Sequence, residues 1–183
     1  MSHEIEVLKR VCFILEQTEI PYMLTGSFAS NFYSVPRMTR DIDIVIEILA
    51  SELEIFFQAF KDEFYIDEEE ILDAIAKQSM FNIIHNNTVF KVDFIIRKES
   101  IYRNLEFQRR KRAKIDDSEI WIVSPEDLIL SKLFWAKESV SQLQIKDIRN
   151  LTKSLKNIDQ EYIHKWIEIL DLGTIYNEVK KDE

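Results

Sequence analysis

The chain is 183 residues long with 46% apolar and 31% charged residues, a composition suited to one folded core and unlike a disordered or low-complexity chain. Its net charge of −9 argues against passive binding along a nucleic-acid backbone, and a single cysteine, Cys12, excludes an internal disulfide or a cysteine-built zinc site. No apolar run reaches the roughly eighteen residues of a membrane span, and Met1-Ser2-His3-Glu4 carries no signal-peptide pattern, so a cytoplasmic chain without a membrane partner is expected.

Ile5, Leu8, Cys12 and Leu15 recur at helical spacing over residues 4 to 17, with Cys12 expected to pack as a small apolar side chain and Pro21 closing the element. Tyr22 to Thr25 reads as a short strand, Ser27 to Tyr33 as a helix stopped before Pro36, and residues 42 to 47 as a second strand. An amphipathic helix over 51 to 61, a strand at 64 to 66 and a helix near 69 to 77 follow. Phe81 to His85 and Val89 to Ile96 are strands joined through the turn pair Asn86-Asn87. A helix near 100 to 111 and a strand at Ile120 to Val123 complete the sheet.

The remainder is helical. Ser124 is an N-cap ahead of Pro125, and the stripes Leu128, Leu130, Leu133, Phe134, then Ile145, Ile148, Leu151, Leu155, then Ile163, Trp166, Ile167, Leu170 mark three helices. Gly173 breaks the chain before a short terminal helix. The expected fold class is α+β, with a core at 1 to 123 and a helical segment at 124 to 183 packed on it.

Three acids stand out. In a strand Asp41 and Asp43 project to the same side about 7 Å apart, where they repel unless a cation sits between them. A hard divalent metal that also grips phosphate oxygens is the natural candidate. Asp93 is a third acid in the apolar run Val89 to Ile96. Gly26, one of only two glycines, falls between a strand and a helix, where backbone can approach a ligand and open N–H groups suit phosphate; Ser27 adds a hydroxyl. Taken singly, each has a plain structural reading: a turn with a cap, an arginine-paired Asp43, an exposed Asp93 sharing its side with Lys91. Arg103, Arg109, Arg110, Lys111, Arg112 and Lys114 form a basic segment, either a solvated helix face or a patch for a polyanion. His3, His85 and His164 show no ligand spacing.

Apolar-Gly26-Ser27, a spacer, then Asp41-Ile42-Asp43-Ile44 and a later Asp93 resembles the signature of the DNA polymerase β-like nucleotidyltransferase superfamily. Arg37-x-Thr39-x-Asp41 and Ser124-Pro125-Glu126-Asp127-Leu128 through Lys132 look like its bacterial minimal-nucleotidyltransferase group, which includes abortive-infection and toxin–antitoxin enzymes. Lys146-Asp147-Ile148 is similar to a Lys-Asp-x-x-Asp region of that group, departing at Asn150. The resemblance implies a nucleotidyltransferase-like mixed sheet flanked by helices. It also implies Mg²⁺, with Mn²⁺ as substitute, held by Asp41, Asp43 and Asp93, the last also a proton acceptor. Gly26 and Ser27 would hold phosphates, and Arg37, Arg40, Lys132 or Lys146 the leaving pyrophosphate. The implied reaction moves a nucleoside monophosphate from an NTP to a hydroxyl or phosphate on tRNA, protein or a small molecule such as an antibiotic. Two alternatives stay open: a toxin controlled by an antitoxin partner, and a catalytically silent nucleotide-binding member.

Overall fold

Alternation along two neighbouring strands determines the architecture. On β2 (Asp41–Ile46), Ile42, Ile44 and Ile46 are buried, and Asp41, Asp43 and Val45 take the opposite face. On β5 (Lys91–Ile96), Val92, Phe94 and Ile96 are buried on the face away from Lys91 and Asp93. The computed structural model describes residues 3–39, 41–139 and 141–181. Among them the chain forms an α+β fold of seven strands in one mixed sheet and nine α-helices.

The strands, in chain order, are β1 (Tyr22–Leu24), β2, β3 (Phe64–Tyr65), β4 (Met80–His85), β5, β6 (Lys111–Ile115) and β7 (Ser118–Ile122). Across the sheet they run β3-β4-β5-β2-β1-β7-β6. β2 pairs parallel with β5 and antiparallel with β1, while β7 runs parallel to β1. The helices are α1 (His3–Gln17), α2 (Gly26–Tyr33), α3 (Leu53–Phe60), α4 (Glu68–Lys77), α5 (Ile101–Gln108), α6 (Pro125–Ser139), α7 (Gln142–Ser154), α8 (Gln160–Ile169) and α9 (Gly173–Lys180). None is long and apolar enough to cross a membrane among the described residues.

By internal contacts the chain divides into two units, Met1–Phe28 with Met38–Ile122, and Ala29–Arg37 with Val123–Glu183. The first holds the sheet. Its apolar face is packed by Phe56 and Phe60 of α3 against Phe81 and Phe94, with centroid separations of 4.6 to 5.8 Å in tilted and edge-on pairs. α4 is signed at both ends: Asp67 accepts from the Glu70 amide at 3.0 Å, three glutamates occupy the first turn, and Gln78 closes the helix in the left-handed region. Cys12 is buried on α1, and burial pushes its thiol up to about 12.

The second unit is helical. Ser124 caps α6, its hydroxyl accepting from the Asp127 amide at 3.1 Å and donating to the Asp127 carboxylate at 2.6 Å. Asp159 caps α8 at the Tyr162 amide, and the Tyr162 hydroxyl donates to Asp127 at 2.6 Å.

Two expectations fail. The strand read over Val89 to Ile96 begins at Lys91, because Val89, at φ +59, belongs to the turn. The helix read over 100 to 111 ends at Gln108, and Lys111–Ile115 is instead an edge strand paired antiparallel with β7. Ile115 opposite Ser118 defines a two-residue hairpin loop, Asp116-Asp117, with Asp116 at φ +53. The basic segment is therefore not one helix face. Arg103 donates to Glu106 at 2.7 Å, Arg112 to Glu16 at 2.6 Å, and the Arg110 and Arg112 guanidiniums lie 4.8 and 5.0 Å from the Trp121 ring.

Candidate active site

The parallel register of β2 and β5 sets Asp41 beside Lys91 and Asp43 beside Asp93. Residues two apart on a strand share a face, so these four side chains form a small square on the sheet face opposite the phenylalanine cluster. Neighbouring strands lie about 4.8 Å apart, which brings the Asp43 and Asp93 carbon skeletons side by side. Asp41 is exposed, Asp43 half-buried and Asp93 buried at 5% exposure.

Gly26 is fixed by this arrangement. Its φ of +63 suits a residue without a side chain, and a Cβ there would lie 2.6 Å from the Asp43 carboxylate carbon and nearer still to its Oδ2. The Asp43 carboxylate thus packs against the bare backbone where β1 turns into α2. The Thr25 amide donates to the Asp43 carbonyl at 2.9 Å and holds the two segments in register. The first amides of α2, which begin at Gly26, have no acceptor within the helix and carry the positive end of its dipole.

Charge on the face is partly balanced by Lys91, whose Nζ is 2.8 Å from Asp93 Oδ2 and 3.8 Å from Asp41 Oδ1. The hydrogen bond to Asp93 holds the Lys91 ammonium above the usual lysine range, a pull that partial burial opposes and that the charges of Asp93, Asp41 and Asp43 reinforce. Asp93 Oδ1, by contrast, is buried and meets no hydrogen-bond partner. Beside Asp41 and Lys91 lies an open groove of about 440 Å³, with Met38, Thr39, Thr88 and Val89 along its sides.

No family model matches the chain, and no curated protein matches its sequence. Solved structures do match. The antibiotic-resistance factor ANT(2'')-Ia superposes with a TM-score of 0.63 at 13% identity, over 96% of this chain and 95% of its own. The lincosamide antibiotic adenylyltransferase LnuA, solved with lincomycin bound, gives 0.57 at 15% identity, over 82% of this chain and 97% of its own. An antigenic nucleotidyltransferase-like protein from Paracoccidioides brasiliensis gives 0.55 at 18% identity, over 95% and 92%. The chain has a DNA polymerase β-like nucleotidyltransferase fold.

Within the nucleotidyltransferase fold, the acidic face can be tested for fit to a hard divalent cation. Carboxylate oxygens are the donors that Mg²⁺ and Mn²⁺ prefer, and Asp93 Oδ1 is a buried acceptor lacking a donor. Those two features fit. Among the described residues, however, no three His, Cys, Asp or Glu side chains close into a ready cage, and an ammonium stands between two of the carboxylates.

The cations expected at the leaving group are placed as follows. Arg37 donates from Nε to Asp147 Oδ1 at 2.9 Å and from Nη2 to Oδ2 at 3.0 Å. Lys132, 3% exposed, donates to Asp147 Oδ2 at 2.8 Å and to Gln144 at 3.0 Å. Burial would raise the Asp147 carboxyl, but hydrogen bonds from Arg37 and Lys132 more than reverse this and hold it below the usual range. Lys146 is exposed, and Arg40 lies outside the described residues. Two residues have parts here beyond those read from the sequence. Lys91, which strand alternation alone puts on the side of Asp93, also reaches Asp41 through the β2–β5 register. Asp147 was legible in principle, because 144, 147, 148 and 151 share one helical face of α7.

Proposed function

We propose that the chain is a nucleotidyltransferase that moves a nucleoside monophosphate from an NTP to an acceptor hydroxyl or phosphate. The observation that carries this reading is the face on which Asp41, Asp43 and Asp93 meet across two parallel strands, with Gly26 packed against Asp43. Asp41, Asp43 and Asp93 would hold Mg²⁺ or Mn²⁺, which when bound draws charge from triphosphate oxygens and orders them for in-line displacement. Ser27 and the α2 amides following Gly26 bind phosphate oxygens by hydrogen bond and dipole.

In the reaction the acceptor oxygen bonds to the α-phosphorus, the bond from that phosphorus to the bridging oxygen breaks, and pyrophosphate leaves. Asp93 is the candidate acceptor for the proton of the attacking hydroxyl. Arg37, Arg40, Lys132 and Lys146 are the candidate cations for pyrophosphate; Lys146 has an exposed head group, whereas Arg37 and Lys132 hold Asp147. Among acceptors, a small molecule is favoured over tRNA or protein. LnuA was solved with lincomycin and ANT(2'')-Ia with adenylyl-2''-tobramycin, and the groove beside Asp41 is of small-molecule size.

The test is incubation with NTPs labelled at the α-phosphate, together with total RNA, total protein or a panel of hydroxyl-bearing antibiotics. Label is expected in the small-molecule pool, with at least a ~100-fold loss in Asp43→Asn. Absence of label from every pool, with the chain folded and divalent metal supplied, contradicts the proposal.

A further inference from the structure

The acidic face contains a cation of its own. Lys91 lies in register with Asp41 and two residues before Asp93, so the strand pairing carries its ammonium to Asp41 and the alternation along β5 carries it to Asp93. At 2.8 Å from Asp93 Oδ2 and 3.8 Å from Asp41 Oδ1, the ammonium stands where a cation bridging those two carboxylates would lie. Lys91 also spends its shortest contact on Asp93 Oδ2, while Asp93 Oδ1 stays buried and unpartnered, so one oxygen of that carboxylate is committed and the other is open to a further cation.

We propose that Lys91 is a tethered counter-ion in place of one metal, so that the nucleotide-free chain takes one divalent ion on this face rather than two. The inference rests on the nucleotidyltransferase reading of the three acids and assigns the face its ion count. Lys91 is a positioning residue here: it neutralises Asp41 and Asp93 and fixes the Asp93 rotamer, and it has no part in bond making.

Manganese titration of the whole chain without nucleotide, with free Mn²⁺ read by electron paramagnetic resonance, tests it without reference to activity. Wild type should take one Mn²⁺ per chain and lose it in Asp43→Asn. Lys91→Met should take two, and Lys91→Arg should stay at one; Lys91→Gln replaces the methionine variant if circular dichroism shows that variant unfolded. Two ions on wild type overturn the proposal without any variant. One ion on both wild type and Lys91→Met, abolished by Asp43→Asn, also overturns it while leaving the nucleotidyltransferase reading intact. No ion on either protein overturns the proposal and the metal-binding role of the acids together.

Discussion

Gly26 and Asp43 share one small volume, and that constraint is the sharpest at the level of single residues. Alanine at position 26 would need a left-handed backbone and would drive a methyl group into the Asp43 carboxylate. Gly26→Ala should therefore cost at least about 2 kcal/mol in denaturant unfolding. Label transfer should fall in Gly26→Ala even where the protein stays folded, because Asp43 is displaced. The three acids and the glycine were legible in the sequence for a physical reason: strand alternation puts i and i+2 on one face, and carboxylates in apolar runs are expensive without a cation. Lys91 was not legible as a partner of Asp41. Its proximity depends on which strand lies beside β2 and in what register, and no local pattern carries that information.

Among elements, the hairpin of β4 and β5 stands out for its turn. Val89, exposed at 75%, has φ +59, a region that β-branched side chains occupy only under strain. Val89→Asn should raise stability by about 0.5–1 kcal/mol in the same unfolding assay, since asparagine tolerates this backbone and little apolar burial is lost. The cap of α4 makes the opposite case: Asp67→Ala should cost about 1 kcal/mol by leaving the Glu70 amide without its acceptor. Helices with apolar stripes, such as α1 and α8, and strands rich in branched side chains, such as β2 and β5, could be read directly. β6 could not. Lys111, Arg112 and Lys114 are poor strand formers, only Ala113 is buried, and the segment is a strand because β7 offers it a ladder through the Asp116-Asp117 loop.

For the whole molecule, acid stability and nucleotide binding are the informative properties. Asp147 is held below its unfolded pKa by Arg37 and Lys132, so its stabilising contribution is complete above the unfolded value of about 3.9 and is lost as pH falls through the lower folded value. Asp147→Asn should cost about 3–5 kcal/mol at neutral pH, by leaving two cations without their carboxylate. The gap between wild type and variant in denaturation midpoint should stay constant down to about pH 5 and narrow in stronger acid. A gap that widens on acidification would contradict the assigned ion triad. The central claim, that Asp41 and Asp43 form the metal–nucleotide site, is tested most directly by calorimetric titration of NTP in the presence and absence of Mg²⁺. Wild type should bind with a dissociation constant of about 1 μM to 1 mM only when Mg²⁺ is present, and the double variant Asp41→Asn/Asp43→Asn should lose that metal-dependent heat. Indistinguishable Mg²⁺-dependent binding by the two proteins would contradict it.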